Sequence, residues 1–256
     1  MATVSSKAWD KYIGALKQLN TKATNRMLEK INELGTDDPE ALVELIRYAY
    51  AIATRYGEGA AALSAEMYDA LAELSGKIVA PAVPASTASY GDVAKAVYGT
   101  NLQSKNPQVM ADAIGRLVKM ASADTMQQNA LRDGAEWAWI PRGDTCAFCL
   151  MLASNGWQRA SKKALRNGHA MHIHANCDCT YAIRFSSDVE VEGYNDGEEY
   201  RKLYYGAEGS TPEERINSMR RDFYAENKDR INEQKRSAYE KRKELNSSEA
   251  EEHNVN

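Results

Sequence analysis

The sequence lacks the features that mark membrane, secreted and strongly basic proteins. No apolar run approaches the roughly 18 residues that a membrane-spanning helix needs. The first residues hold no basic segment followed by an apolar run, so we expect no secretory signal and expect synthesis in the cytoplasm. Acidic residues number 36 and basic residues 32, and this net charge of −4 argues against a uniformly basic protein that coats nucleic acid.

Proline and phenylalanine are also scarce, with six and three residues, whereas tyrosine occurs 14 times. Runs of β-branched residues are short, and Ala, Leu, Glu, Lys and Gln dominate the first half of the chain. This composition favours helices. With 256 residues, 43% of them hydrophobic and 27% charged, the chain is typical of a globular protein of one large or two small domains.

Residues 1–77 are predicted to form an N-terminal helical region. Apolar residues recur every three or four positions between Ser5 and Leu34, which is the period of an amphipathic helix. Asp38 and Pro39 give an N-cap and a first-turn proline for a second helix. Gly57 and Gly59 are expected to interrupt that helix, so that a third one begins near Leu63 and ends before Gly76.

Residues 78–90 contain two prolines among small residues, a composition that favours extended or polyproline-like backbone. We therefore predict a linker at a domain or layer boundary. Residues 91–136 are predicted to be helical again. A short helix is expected over Asp92–Val97, and a longer one is expected to begin at Asn106-Pro107 and to end near Leu131.

The remainder of the chain divides into three segments. Residues 137–185 are predicted to be a small irregular α+β module that ends in a strand at Thr180–Phe185. Residues 186–245 are predicted to be a turn-rich segment followed by a long helix from Thr211 to about Leu245, and residues 246–256 a disordered acidic tail. The predicted fold class is therefore mainly α, with an N-terminal helical bundle, a small α+β module and a long C-terminal helix.

The α+β module holds all four cysteines and three of the four histidines, between positions 146 and 179. Cys146 and Cys149 form a Cys-x-x-Cys turn, which brings two sulfurs to one side, and Cys177 and Cys179 form an extended Cys-x-Cys pair. With His174, these side chains make a tetrahedral Zn²⁺ site sterically reasonable. Disulfides, free thiols and a thioredoxin-type redox pair are the alternatives, and we favour zinc over them.

A structural zinc is favoured over a catalytic one. The sequence contains neither the His-x-Glu with Pro-Cys-x-x-Cys of the deaminases nor the His-Glu-x-x-His of the metalloproteases. Four protein ligands close the coordination sphere and leave no position for a reactive water. The spacing leaves open whether His174 binds the ion or orients a thiolate, and His169 and His172 are expected to be solvent-exposed bystanders.

Three segments carry a resemblance to a known family: Trp137-Ala138-Trp139, the run from Asp144 to Gly156, and His174-Ala175-Asn176-Cys177-Asp178-Cys179. Together they resemble the minor head proteins of tailed bacteriophages related to the Mu F protein. The resemblance is strong over residues 137–185 and looser beyond. Residues 1–136 share only helical character with that family. Many relatives carry proline where this chain has Ala175, which leaves the turn less rigid and removes no ligand.

The resemblance implies a structural protein of the virion that is made in the host bacterial cytoplasm. Such a protein acts in head morphogenesis near the portal, is present in a few copies per particle, and contacts the portal and major capsid proteins. It implies no catalytic residue, and we therefore expect no enzymatic activity. From the lack of a long apolar run we expect no membrane contact. It leaves open whether the protein is packaged with the genome and leaves with the DNA.

The alternative function is a zinc-stabilised nucleic-acid-binding protein, with nuclease activity included in that hypothesis. The predicted helix from Thr211 to Leu245 contains ten basic and eight acidic residues, and only Lys241-Arg242-Lys243 is densely basic. Phosphate contact needs clustered cations. A solvated helix with ion pairs between successive turns explains this composition better. We therefore favour the structural role, and the sequence leaves open whether the helix contacts packaged DNA.

Overall fold

The computed structural model describes residues 2–4, 6–104, 106–141, 146–161, 180–187, 189–191 and 197–253. This part of the chain is 74% helical, which confirms the prediction of a mainly helical fold. The helices are α1 (Ser6–Leu34), α2 (Pro39–Leu74), α3 (Tyr90–Gln103), α4 (Pro107–Asp133), α5 (Ala147–Ala153), α6 (Glu198–Gly206) and α7 (Pro212–His253). The strands are β1 (Ala2–Val4), β2 (Glu136–Ile140), β3 (Gln158–Arg159), β4 (Thr180–Arg184) and β5 (Val189–Val191).

Capping residues set the helix starts as the sequence predicts. Asp38 accepts a hydrogen bond from the backbone N–H of Glu40 at 3.0 Å, and Asn106 accepts one from Gln108 at 3.0 Å. Each cap precedes a first-turn proline, whose missing N–H costs nothing there. Gly134 ends α4 with a φ of +65°, a conformation that glycine adopts without strain.

Helix α2 does not break at Gly57 and Gly59, which corrects the prediction of two separate helices. It runs without interruption from Pro39 to Leu74. A Cβ atom at Gly57 would lie 2.9 Å from Thr87 Cγ2 and 3.6 Å from Ala121 Cβ. The glycine therefore allows neighbouring segments to approach the helix axis, and the packing gained there offsets the roughly 1 kcal/mol that glycine costs in a helix interior.

Helix α3 is longer than the predicted Asp92–Val97: Ser89 caps it so that it starts at Tyr90, and it continues past Val97 to Gln103. Ser89 Oγ accepts from the backbone N–H of Asp92 at 3.2 Å and donates to the Asp92 carboxylate at 2.6 Å. This mutual bonding lowers the pKa of Asp92. Val93 and Val97 are buried and attach the helix to α2 and α4.

Helices α1, α2 and α4 form the bundle, and their side chains divide into two cores. The helix-side core is built from the C-terminal half of α1, the N-terminal parts of α2 and α4, and α3. It includes Met27, Ile31, Leu45, Ile46, Val93, Val97, Met110, Ile114 and Val118. The sheet-side core joins the other end of the bundle to the small sheet and includes Trp9, Tyr12, Tyr68, Leu71, Met126, Trp137, Trp139, Tyr181 and Ile183. The α+β module therefore shares its core with the N-terminal helices.

The segment between α2 and α3 is extended, as predicted, and lies against the bundle as a strap. Ala82 packs on the sheet-side core and Ala88 on the helix-side core. The strap thus runs across both cores between Gly76 and Ser89. Side chains from α2 and α4 hold its backbone: Asp69 of α2 accepts from the N–H of Ala82 at 2.8 Å, and Thr125 of α4 accepts from that of Ala85 at 2.9 Å.

The sheet has the strand order β3-β2-β4, and both pairings are antiparallel. In the longer pairing Glu136 lies opposite Arg184 and Ile140 opposite Thr180. The observed β4 confirms the predicted strand at Thr180–Phe185 to within one residue. Trp139 and Tyr181 face each other across the pair with ring centroids 4.7 Å apart. A second, two-stranded sheet pairs β1 with β5 in parallel.

Helix α7 starts as predicted and ends later than predicted. Glu214 Oε2 accepts from the backbone N–H of Thr211 at 3.1 Å, while Thr211 Oγ1 accepts from that of Glu214 at 3.2 Å, which is a capping box. The helix extends to His253, so it includes part of the predicted tail beyond Asn246. Glutamate and alanine in that stretch are good helix formers, and adding a turn to an existing helix requires no new nucleation.

Among the described residues, no helix is long and apolar enough to cross a membrane.

Candidate metal centre

The Cys-x-x-Cys turn forms the start of α5. Cys146 is the N-cap residue, with φ −74° and ψ 155°, and its carbonyl accepts from the N–H of Leu150 at 3.1 Å. Positions three apart lie on the same side of a helical turn. Cys149 is 2% exposed within the sheet-side core, and Cys146 is half-buried at its edge. The fold therefore places both sulfur-bearing residues on the inner side of α5.

The other predicted ligands, His174, Cys177 and Cys179, lie outside the described residues, as do His169 and His172. Within the described ranges, no group of three or more His, Cys, Asp or Glu side chains is placed to hold a metal ion. The structure thus shows how two of the five predicted ligands are positioned. The assignment of zinc stays a prediction.

Strand register relates the two halves of the predicted ligand set. Ile140, the last residue of β2, pairs with Thr180, the first residue of β4. The chain leaves Ile140 toward Cys146, and it enters Thr180 directly from Cys179. Because the strands are antiparallel, both connections are made at the same end of the sheet.

The outer side of α5 packs against the C-terminal helices. Ala147 is buried against Tyr204 of α6 and Met219 of α7. Arg201 Nε donates to the carbonyl of Ser154 at 2.9 Å and so satisfies a backbone acceptor at the end of α5. Helix α5 is therefore enclosed by the sheet-side core on one side and by α6 and α7 on the other.

Helix α6 was not predicted from the sequence, which indicated only a turn-rich segment between residue 186 and Thr211. Gly197 precedes it with a φ of +69°, and a Cβ there would lie 2.6 Å from the carbonyl oxygen of Ala153. Glycine is required by both the conformation and the close approach to α5. Glu198 and Glu199 in the first turn were the available signal, since acidic residues favour helix N-termini.

A charged network closes the junction between α4 and β2. Arg132 Nη2 lies 2.7 Å from Asp133 Oδ2, and the Tyr68 hydroxyl donates to the same oxygen at 2.9 Å. The Arg132 guanidinium, followed by the Tyr68 hydroxyl, holds the pKa of Asp133 below its usual range, although partial burial opposes this. Burial and the neighbouring carboxylate raise the pKa of Tyr68. The network stabilises the turn that leads into the sheet.

The end of the sheet opposite the Ile140–Thr180 pair carries a second charged contact. Arg184 Nε donates to Glu136 Oε2 at 2.7 Å, across the directly opposed pair of β2 and β4. The same guanidinium lies over the ring of Trp157, 4.4 Å from its centroid. This stacking helps to fix the end of the sheet at which β2 begins and β4 ends.

The fold and the site define a mainly helical protein in which a Cys-x-x-Cys turn starts a short helix beside a small sheet. A family model described as VG15 protein matches residues 3–207, a range that contains α1 to α6, the sheet and the Cys-x-x-Cys turn. The match covers most of the chain and ends before α7, so this chain belongs to the VG15 protein family. It is accordingly a phage-encoded protein. Searches of curated proteins and of solved structures gave no match.

Proposed function

We propose that this phage protein is a structural minor head protein of the Mu F-like type, which acts in head morphogenesis near the portal. Three features support this role: membership of a phage protein family, the resemblance of residues 137–185 to the Mu F-like module, and the mainly helical fold. In this proposal the portal and major capsid proteins are its partners, a few copies enter each virion, and the protein catalyses no reaction.

We also propose that a structural Zn²⁺ is held by Cys146, Cys149 and two of His174, Cys177 and Cys179. The pairing of Ile140 with Thr180 supports this proposal, because the chain toward Cys146 leaves the sheet, and the chain after Cys179 enters it, at the same end. The thiols on the inner side of α5 fit a soft divalent ion. Bound zinc supplies a cross-link and no chemistry. It would tie α5 to the chain that enters β4.

Mass spectrometry of purified virions tests the head-protein role. We expect the chain in particles at a few copies, and we expect the isolated protein to bind DNA weakly or with no steep dependence on salt. Absence from particles would contradict the role. DNA affinity that falls steeply as salt rises would favour the nucleic-acid-binding alternative, because phosphate contacts release counterions.

Elemental analysis of protein purified without chelator tests the zinc site. We expect about one zinc per chain, as four ligands bind one ion. Cys146→Ser and Cys149→Ser should each lose the metal, whereas His253→Gln, which changes a histidine far from the site in sequence, should keep it. Metal-free protein in which Cys146 and Cys149 resist alkylation until reduced would show that the cross-link is a disulfide.

A further inference from the structure

The strap between α2 and α3 shows a three-residue period in its exposure. Val79, Ala82 and Ala85 face the bundle and are partly or fully buried. The six residues between and around them are exposed, namely Ile78, Ala80, Pro81, Val83, Pro84 and Ser86. A period of three is that of the polyproline II helix, which repeats every three residues with a rise of about 3.1 Å each.

Side chains of the bundle hold this backbone in place. Asn129 makes two hydrogen bonds to Val83, accepting from its N–H and donating to its carbonyl, each at 2.9 Å. Thr125 Oγ1 accepts from the N–H of Ala85 at 2.9 Å, and Arg132 donates to the carbonyls of Ala80 and Pro81. A polyproline helix makes no internal hydrogen bonds, so the hydrogen bonds from the bundle are what fix the backbone of this segment.

The outward face is apolar and uncharged. Ile78, Pro81 and Pro84 are three apart and share one side of the polyproline helix, and Val83 beside them is 64% exposed. Pro81-Ala82-Val83-Pro84 is a Pro-x-x-Pro sequence. Between Ile78 and Tyr90 there is no charged residue, in a chain of which 27% is charged. We define residues 78–86 as the proline ridge.

We propose that the proline ridge docks into a groove lined by tryptophan and tyrosine side chains on another structural protein of the phage. Proline and aliphatic side chains on a preformed polyproline helix are the ligands that aromatic grooves recognise. The bundle has already ordered the backbone, so binding incurs little further loss of conformational entropy. That the partner is a head component rests on the proposed function.

The ridge itself argues against other partners. Nucleic acids and acidic lipid surfaces require cations, and none lies between Ile78 and Tyr90. Addition of the segment to the edge of a partner's sheet requires available main-chain groups. Three N–H groups of the ridge already donate to side chains of the bundle: that of Ala82 to Asp69, that of Val83 to Asn129 and that of Ala85 to Thr125. Recognition is therefore through side chains.

Photo-cross-linking of the full chain in cells replicating the phage tests the proposal. A benzophenone side chain is placed at Ile78 or Val83, and at the exposed Val43 and Leu203 as controls. We expect adducts at the ridge with one other phage structural protein, mapped to a peptide with at least two aromatic residues. The doubly substituted Pro81→Ala/Pro84→Ala chain should reduce the yield about tenfold, a change in affinity of about 1.4 kcal/mol.

Asn129→Ala supplies the second test, because it releases the Val83 backbone and leaves every ridge side chain in place. The adduct yield should fall while circular dichroism shows an unchanged helical content. Ridge adducts no stronger than those of the controls would overturn the proposal, as would adducts with DNA, with a second copy of this chain or with a peptide lacking aromatics. A specific aromatic adduct from a chain absent from virions would support the ridge and refute the head-protein role.

Discussion

At the scale of single residues, the close packing of α1 on α4 depends on a missing side chain. A Cβ atom at Gly115 would clash with Thr24 Oγ1 and lie 2.8 Å from Asn20 Oδ1. Both polar atoms belong to the facing surface of α1. The sequence pattern placed Gly115 within a predicted helix and gave no indication that it marks a helix crossing.

We expect Gly115→Ala to lower the free energy of unfolding by about 1–3 kcal/mol, because the added methyl overpacks this crossing. Gly99→Ala is the matched control, since Gly99 is also helical and a Cβ atom added there would meet nothing within 4 Å. That substitution should raise stability by up to about 1 kcal/mol. Denaturant unfolding of both variants measures the difference. Equal effects at the two sites would contradict the claim that close packing of α1 on α4 requires glycine at position 115.

Asp133 should make stability depend on pH. Its pKa is lowered in the folded protein, so its contribution is present above the unfolded pKa and is lost as the pH falls through the folded pKa. Asp133→Asn should lower stability by about 1 kcal/mol at neutral pH. The gap between variant and wild type should close in acid, below about pH 4. A gap that stayed constant from pH 7 to pH 3 would rule out this titration.

At the scale of elements, α5 joins the sheet-side core to the C-terminal helices. Met219 is 9% exposed and packs beside Ala147 of α5 and Tyr204 of α6. Ile216 and Met219 are three apart on α7 and contact this cluster, whereas Phe223, one turn further, is 42% exposed. The packing of α7 on the body thus depends on its first two turns.

We expect Met219→Ala to release α6 and α7 from α5, because it leaves a cavity in a small cluster, at a local cost of about 2–3 kcal/mol. Hydrogen exchange should become faster over residues 198–229 while α2 and α4 keep their protection. Leu203→Ala is the control, since Leu203 lies on α6 and is 51% exposed. Unchanged exchange in Met219→Ala would show that other contacts hold these helices.

At the scale of the whole molecule, the four tryptophans report on only one of the two cores. Trp9, Trp137 and Trp139 are buried in the sheet-side core, and Trp157 packs against it. The helix-side core contains none of them. Tryptophan emission therefore follows the sheet end of the molecule, whereas far-ultraviolet ellipticity follows the helices that extend through both cores.

We expect Cys149→Ser to shift tryptophan emission to the red at a lower temperature than the loss of helical ellipticity, since Cys149 lies in the sheet-side core. Leu45→Ala in the helix-side core should reverse the order of the two transitions. Thermal unfolding followed by both signals makes the comparison. Coincident transitions in both variants would mean that the cores unfold as one cooperative unit.

The sequence by itself determined the helices that begin with strong local signals. Asp38-Pro39, Asn106-Pro107 and Thr211-Pro212 each place a capping side chain before a first-turn proline, and all three helices start there. Such signals are local, because cap and helix interact within one turn. For the same reason, the extended strap and the strand at Thr180 could be predicted from composition and alternation.

Only the tertiary structure decided the features that depend on distant neighbours. From the sequence, Gly57 predicts a helix break, yet in the structure it permits close packing on Thr87 within one long helix. The register of Ile140 with Thr180 and the enclosure of α5 join residues far apart in the chain. Such contacts are selected by total burial, to which local propensity contributes little. The same reason explains why the spacing of the cysteines predicted a site, whereas the fold showed that its Cys-x-x-Cys half is part of the core shared with the N-terminal helices.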